Sequence, residues 1–326
     1  MLTTGALILI VTFDIALGKD VPEKGPYSLD MALHSVDDQY YVCTENMKEK
    51  VQTCYLEQEI IEDKSGFGEA WRDAENSSVP QDDLTKNHLI AIRVYTGKKV
   101  YSEFNNAIRN GKQSYRQLAF GWYSLYFLLT EALRILKRTQ KECIKTYRGT
   151  RVSFTQSDVF KKEIRFGSFA SSSLDQNDAK NFGILSCFEI YTCLGADVTK
   201  YSEHPREKEV LIPPYEKFIV TAIRKGQNDD WCETVYTLKS SGIQSNLNCA
   251  VANHCCPSLS RNDIRRGQIT PPRAFLSHPH NSYLMRSKHG NEKGSGVQKL
   301  RVQQGKNSKI FHQYRPKSRM YDFIKK

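Results

Sequence analysis

The chain has 326 residues, of which 39% are hydrophobic and 25% charged, and its formal net charge at pH 7 is +11. This length is sufficient for one sizeable hydrophobic core, or for a core with an additional lobe. Beyond the N-terminus no apolar run approaches the roughly 20 residues of a membrane-spanning helix, and no two cysteines have the C-x-x-C spacing of a zinc site.

The N-terminus has the pattern of a secretion signal. An apolar run covers residues 6–13 and continues through Ile15-Ala16-Leu17, and Ala16-Leu17-Gly18 forms a small-x-small cleavage pattern before the charged Lys19-Asp20. The run is too short for a membrane anchor. We therefore interpret residues 1–18 as a signal peptide and expect a secreted or extracellular protein.

The cysteines agree with export. All nine lie beyond residue 18, and disulfides are typical of exported proteins. Because the count is odd, at least one thiol is free or is paired between molecules. The sequence Asn76-Ser77-Ser78 is an N-glycosylation sequon, which makes Asn76 the predicted acceptor.

The basic charge is concentrated at the C-terminal end. Residues 257–326 contain 16 Lys and Arg against 3 acidic residues, a net charge of +13, together with Gly and Pro and few spaced apolar residues. We predict a disordered tail there and a folded domain over residues 19–256. The tail is either a solvated segment without a dedicated partner or a site that binds a polyanion, an anionic membrane or nucleic acid.

Helical periodicity dominates the first half of the folded domain. Residues 46–62 are polar with spaced apolar positions, and a short segment begins at Gly68. Apolar residues recur at intervals of three or four over residues 118–136, which predicts an amphipathic helix. Residues 89–95 are compatible with either a strand or a buried helical turn.

The pattern changes after residue 141 to short β-like runs separated by turn residues. They cover residues 143–147, 164–172, 185–193, 210–212, 218–224 and 233–239. Helices followed by strands predict an α+β fold, in which an N-terminal helical lobe packs on a mostly antiparallel β-sandwich that holds the binding cleft.

Two acidic residues lead into one of these runs. Glu207 and Glu209 precede the β-forming Val210-Leu211-Ile212, and residues two apart on a strand share a face at roughly 6.5 to 7 Å. Two carboxylates held in this way perturb each other's ionisation and contact one substrate together. The alternative is a solvated pair beside Arg206 and Lys208.

Other polar residues suit this carboxylate pair. Tyr147-Arg148-Gly149 ends one strand with a guanidinium that is able to bind phosphate, and with a glycine that lets a ligand approach the backbone. Ser171-Ser172-Ser173 places hydroxyls along another strand. Residues 178–183 form a predicted helical turn that ends at a glycine C-cap.

Together these motifs resemble the arginine-specific mono-ADP-ribosyltransferases, the vertebrate ecto-enzyme family related to the bacterial toxins of the R-S-E class. The likeness covers residues 37–249 and rests mainly on Arg148, on Ser171 after Phe169, and on Glu207-x-Glu209. Further matching motifs are Asp37-Asp38-Gln39-Tyr40, Arg165-Phe166-Gly167, Thr192-Cys193-Leu194-Gly195-Ala196, Glu209-Val210-Leu211-Ile212-Pro213-Pro214 and Asn246-Leu247-Asn248-Cys249.

The resemblance implies NAD or NADP as substrate, arginine-bearing proteins as acceptors, and no metal. It implies that Arg148 holds the phosphates, that the Gly149 backbone binds the nicotinamide amide, and that Phe182 stacks on the nicotinamide ring. His204 precedes the carboxylates, and we interpret it as a solvent-facing loop residue.

The resemblance also divides the work of the two carboxylates. Ser171 orients Glu209, and Glu209 accepts from the ribose 2′-hydroxyl and stabilises the positive charge on the sugar as nicotinamide leaves. Glu207 receives the acceptor arginine, whose guanidinium is a poor nucleophile until a carboxylate positions it and takes a proton.

The family pattern further implies two disulfides and leaves two other functions open. The implied disulfides are Cys43–Cys249 and Cys143–Cys193, and Cys54, Cys187, Cys232, Cys255 and Cys256 stay unassigned. Many relatives end in an apolar tail that directs a lipid anchor, whereas this sequence ends in a basic stretch, which favours secretion. The alternative functions are NAD hydrolysis with water as acceptor, and a catalytically silent binding module that presents the basic tail.

Overall fold

A computed structural model describes residues 27–97, 99–154, 158–226 and 230–254. The predicted signal peptide and the basic tail over residues 257–326 lie outside the described residues. Within the described ranges, no helix combines the length and the apolar character needed to cross a bilayer.

The first half of the described chain is helical, as its periodicity predicts. The helices are α1 (Thr44–Lys50), a π-helical turn (Val51–Tyr55), α2 (Leu56–Glu62), a 3-10 turn (Lys64–Gly66), α3 (Phe67–Glu75), α4 (Lys86–Thr96), α5 (Tyr101–Asn110), α6 (Lys112–Arg116) and α7 (Tyr123–Lys137). Residues 89–95, for which the sequence allowed two structures, lie in α4 and are almost wholly buried.

The start of α7 differs from the prediction. The apolar periodicity placed a helix from residue 118, but α7 begins at Tyr123, because Leu118 and Gly121 have φ angles of 58° and 68° that interrupt a right-handed helix. Glu59 then supplies the missing cap. Its carboxylate accepts hydrogen bonds from the backbone N–H groups of Tyr123 at 2.6 Å and Ser124 at 3.0 Å, so α2 fixes the first turn of α7.

The second half builds a single hydrogen-bonded sheet. Its strands are β1 (Ile144–Thr150), β2 (Glu163–Ile164), β3 (Ala170–Ser173), β4 (Ser186–Thr192), β5 (Ala196–Asp197), β6 (Glu209–Ile212), β7 (Glu216–Lys225) and β8 (Thr234–Ile243). Their order is β2-β7-β8-β4-β1-β3-β6-β5, and every neighbouring pair except β4–β8 is antiparallel. The predicted α+β class, with helices first and a mostly antiparallel sheet second, is confirmed.

Near the centre of this sheet, two neighbouring strands share only one pair of opposed residues. β1 and β3 pair at Tyr147↔Ser173, and this pair joins a group of five strands to the group β3-β6-β5. Phe169 packs into the core of the helical lobe, and a second apolar cluster includes Phe188 of β4 and Ile212 of β6. The second cluster therefore contains residues from both sides of this narrow junction.

Disulfides connect these parts. The structure contains Cys43–Cys249, which joins residues 206 positions apart, and Cys143–Cys193, which joins the start of β1 to the end of β4. It also contains Cys187–Cys232, which joins two cysteines that the family pattern leaves unassigned. Cys54 is disulfide-bonded as well. Cys255 and Cys256 lie outside the described residues.

Candidate active site

A cavity of about 310 Å³ lies where β1 and β3 separate. Its walls bring together all six residues that the sequence singles out: Arg148, Gly149, Ser171, Phe182, Glu207 and Glu209. They come from β1, from β3, from the turn before β6, from β6 itself and from the loop after the short helix α8 (Gln176–Lys180). A second cavity of about 700 Å³ shares Arg148 and Ser171 with the first.

Arg148 lies where β1 and β3 separate. Its side chain is buried, and its Nη1 donates a hydrogen bond to the carbonyl oxygen of Ser171 on β3. Burial lowers the pKa of Arg148 to about 10, although the nearby Tyr95 and Glu209 act in the opposite direction. The guanidinium is therefore still cationic at neutral pH. Because Arg148 lines both cavities, each of them contains this buried positive charge.

Gly149 occupies a position at which any side chain would clash. A Cβ at this position would lie 2.3 Å from the carbonyl oxygen of Gly183 and 2.4 Å from that of Ala179. The protein's own loop thus fills the space that a side chain would need. Gly149 allows the segment that carries Phe182 to pack directly on β1.

Ser171 and Glu209 share a face of neighbouring strands. In the β3–β6 register Ser173 lies opposite Glu209 and Ser171 opposite Leu211, so Ser171 and Glu209 are diagonal neighbours. Glu209 is only 2% exposed, and its carboxylate lies close enough to the Arg148 guanidinium to affect the pKa of Arg148.

Glu207 does not belong to the strand, and the prediction of two glutamates on one extended segment is wrong. Glu207 ends a 3-10 turn (Pro205–Glu207), and Lys208 has the left-handed angles φ 47° and ψ 50° before β6 begins. Pro205 starts this turn because its fixed φ suits the first helical position. The two carboxylates still line one cavity, but a tight turn rather than strand alternation places Glu207, which is half-exposed.

Phe182 follows α8 and forms part of the cavity wall. Asp175 caps α8 by accepting a hydrogen bond from the backbone N–H of Asn177 at 2.9 Å. The predicted helical turn over residues 178–183 corresponds to the second half of α8 and the turn that follows it. Phe182 is half-buried, so part of its side chain is available to a bound molecule.

Tyr95 reaches the site from α4 and is not among the site residues that the sequence predicts. Its hydroxyl donates to the carbonyl oxygen of Phe169 and accepts from Asn105 Nδ2, both at 3.1 Å, and it is hydrogen-bonded to the side chain of Ser171. Burial raises the pKa of Tyr95 to about 12, with a further contribution from Glu209. No sequence signal separates Tyr95 from the other apolar positions of α4.

Two further sequence expectations concern His204 and metals. His204 is half-buried in the loop before the 3-10 turn, where its backbone N–H donates to Ser202 Oγ at 3.0 Å, and it is not among the residues that line the cavity. Among the described residues no group of His, Cys, Asp and Glu is arranged to hold a metal ion.

Comparison with known sequences identifies similar proteins. Residues 29–242 match the family model described as NAD:arginine ADP-ribosyltransferase. The chain is 36% identical over 240 residues to ecto-ADP-ribosyltransferase 5 of Bos taurus, covering 68% of this chain and 73% of that protein. It is 34% identical over 245 residues to the erythroblast NAD(P)(+)--arginine ADP-ribosyltransferase of Gallus gallus, covering 70% and 78%.

Comparison with solved structures agrees. The eucaryotic mono-ADP-ribosyltransferase ART2.2 superposes with a TM-score of 0.57 at 30% identity, covering 69% of this chain and 99% of that one. A variant of ART2.2 solved in complex with NAD gives a TM-score of 0.54 at 31% identity over the same shares. By the extent of the family match and the identity to these relatives, the chain belongs to the NAD:arginine ADP-ribosyltransferase family.

Proposed function

We propose that this protein transfers ADP-ribose from NAD or NADP to arginine side chains of other proteins and releases nicotinamide. Family membership supports the reaction class. The observation that carries the proposal is the pairing of a buried carboxylate, Glu209, with a half-exposed one, Glu207, in a cavity that also contains the buried Arg148 guanidinium.

The donor dinucleotide binds across the two cavities that share Arg148. The cavity lined by Glu207 and Glu209 takes the nicotinamide ribose, and the other cavity takes the remainder. Arg148 then binds the phosphates between them, since a guanidinium matches phosphate oxygens bidentately. The Gly149 backbone binds the carboxamide, and Phe182 stacks on the nicotinamide ring.

The bond that breaks joins ribose C1′ to the nicotinamide nitrogen. Its electron pair leaves with nicotinamide, and positive charge develops on the sugar. The Glu209 carboxylate stabilises that charge and accepts a hydrogen bond from the 2′-hydroxyl, while Ser171 orients Glu209. Burial of Glu209 strengthens this interaction, because water screens it less than it would at the surface.

The acceptor arginine enters from the side of Glu207. Its guanidinium nitrogen forms the new bond to C1′, and Glu207 positions the group and takes the proton that is lost. The partial exposure of Glu207 suits a residue that must meet another protein, whereas Glu209 needs to meet only the donor.

One assay separates the candidate functions. The purified protein is incubated with NAD labelled in the ADP-ribose part and with an arginine acceptor such as agmatine, and nicotinamide, free ADP-ribose and labelled arginine are measured. Glu209→Gln should abolish nicotinamide release, and Glu207→Gln should abolish arginine labelling while NAD hydrolysis continues. Free ADP-ribose without labelled arginine would favour the hydrolase, and absence of nicotinamide release would favour a silent binding module.

An extracellular site of action fits the chemistry of the folded domain. Three disulfides join described cysteines, and disulfides persist in oxidising compartments. The relative from Bos taurus carries the prefix ecto in its name. Asn76, the proposed glycosylation acceptor, follows the last residue of α3 and is exposed, as glycan attachment requires.

The basic tail completes the proposal. Residues 257–326 carry a net charge of +13, which supports adhesion to polyanions or to anionic membrane surfaces. The full chain should therefore elute from heparin at higher salt than a variant ending at Cys256. Equal elution of the two proteins would show that the tail does not bind polyanions.

A further inference from the structure

Lys208 lies between the two active-site glutamates, and its side chain points away from both sequence neighbours to another element. Its Nζ is 2.6 Å from Asp175 Oδ2 and 3.4 Å from Asp178 Oδ2. Asp175 is the N-cap of α8, and Asp178 lies within that helix. The ion pairs therefore link the turn that carries Glu207 to the helix that leads into Phe182.

Hydrogen bonds to the backbone hold the turn that carries Glu207 against the end of β3. Ser173 Oγ donates to the carbonyl oxygen of Glu207 at 2.7 Å, and the N–H of Leu174 donates to the carbonyl oxygen of Lys208 at 3.0 Å. These bonds fix the main chain of the turn to the end of β3. They leave the outer side of the turn to be held by the Lys208 side chain.

The helix at the other end of the ion pairs is itself anchored. Its C-terminal loop packs on Gly149, where no side chain could be accommodated between β1 and the Ala179 and Gly183 carbonyls. Lys208 thus connects the Glu207 turn to a rigid wall of the cavity. The backbone of Lys208 itself is in the left-handed conformation.

We infer that Lys208 is a positioning residue. It holds Glu207 at the distance from the Phe182 side of the cavity at which an arginine, rather than water, attacks the sugar. This inference rests on the proposed function. Water needs little orientation to react, whereas a guanidinium must be placed by Glu207, and a displacement of about 1 Å costs on the order of 100-fold in rate. Loss of the ion pairs should therefore slow transfer more than hydrolysis.

The three side chains of these ion pairs are partly exposed, so a role in positioning Glu207 can be tested separately from a role in folding. The Lys208 side chain is 48% exposed, that of Asp175 35% and that of Asp178 29%. Ion pairs at such exposure add little to stability, because both charges are well solvated without each other. A variant without the ion pairs should fold normally, so a change in its product ratio reports on the site alone.

The test compares Lys208→Met with Lys208→Arg and with the control Lys180→Met, which removes the same charge from an exposed lysine of α8. For each protein, labelled agmatine and free ADP-ribose are measured, kcat is determined for transfer and for hydrolysis, and KM is determined for NAD and for agmatine. The melting temperature is also recorded. Lys208→Met should lower the ratio of transfer to hydrolysis about tenfold. Lys208→Arg and Lys180→Met should keep that ratio within about threefold of the original protein, because the first retains the ion pairs and the second leaves them intact.

A second variant removes the negative charges that pair with Lys208. Asp175→Asn combined with Asp178→Asn keeps an oxygen acceptor for the α8 N-cap while removing both negative charges. It should lower the ratio as Lys208→Met does, and the triple variant should show no further fall. Additive effects would overturn the inference.

The remaining outcomes are also decisive. An unchanged ratio in Lys208→Met, or an equal fall in transfer and hydrolysis, would overturn the role of Lys208 while the proposed function stands. If the original protein releases nicotinamide but labels no agmatine, the proposed function fails and the inference fails with it. A ratio that declines in the original protein as salt is raised, but not in Lys208→Met, would support the ion pairs as its cause.

Discussion

Tyr95 is the residue through which the helical lobe reaches the reacting groups. One hydroxyl joins Asn105 of α5, the Phe169 carbonyl and the Ser171 side chain, and the buried charges of Arg148 and Glu209 lie close enough to affect its pKa. Phe169 also packs edge-on against the Tyr95 ring. The position of Ser171 therefore depends on side chains from α4 and α5 as well as on its own strand.

Tyr95→Phe should reduce the rate of nicotinamide release about tenfold with a smaller effect on KM for NAD. The substitution keeps the ring packing but leaves Asn105 Nδ2 and the Phe169 carbonyl without this partner and frees the Ser171 hydroxyl to reorient. Steady-state kinetics of nicotinamide release measure the effect. Tyr126→Phe is the matched control, because it removes another buried hydroxyl, one that donates to the Val36 carbonyl at 3.4 Å. Equal losses in the two variants would mean that Tyr95 acts through stability alone.

Among the elements, those with strong periodicity were predictable and those set by tertiary contacts were not. The helical first half, the strand-rich second half and the approximate place of β1, β4 and β7 follow from local pattern. The start of α7 does not, because an apolar repeat continues through residues 118–122 while positive φ angles and the Glu59 cap decide where the helix begins.

The site shows the same division between local and tertiary information. The order of Arg148, Ser171 and Glu209 along the chain predicted which residues meet in one cavity. The sequence predicts a strand at Glu207, because Val210-Leu211-Ile212 is strongly β-forming and no residue pattern indicates the left-handed conformation of Lys208. Tyr95 could not be recognised for a related reason. A tyrosine in a buried helix looks like core until its hydroxyl partners are known.

At the scale of the whole molecule, three motifs that are far apart in sequence interact and hold the beginning of the described fold to its end. We call this set of contacts the closure. The fully buried Arg165 pairs with Asp37 at 3.0 Å, and Asp37 also accepts from the backbone N–H groups of Asn246 and Leu247. Asp38 accepts from the N–H of Cys249, whose sulfur is bonded to Cys43. The beginning and the end of the described fold are thus held together by hydrogen bonds as well as by a disulfide that closes a long loop.

Asp38 gives this closure a pH dependence. Burial raises the pKa of Asp38 to about 6 from its model-peptide value of 3.8, against the opposing effect of hydrogen bonds from Cys249 and Tyr40. The folded protein therefore binds this proton more tightly than the unfolded chain does. The resulting stability is fully present below about pH 3.8 and is lost as the pH rises through 6.

Asp38→Asn should remove this loss, because an amide keeps the acceptor oxygen for the Tyr40 and Cys249 N–H groups and carries no charge to desolvate. Between pH 4 and 7 the melting temperature of the variant should improve relative to that of the original protein, corresponding to at most about 3 kcal/mol. Scanning calorimetry across this range measures the difference. The control Asp73→Asn alters an exposed aspartate paired with Lys99 and should follow the original protein at every pH. A constant offset between Asp38→Asn and the original protein would mean that Asp38 is ionised in the fold throughout, with the backbone N–H groups compensating for its burial.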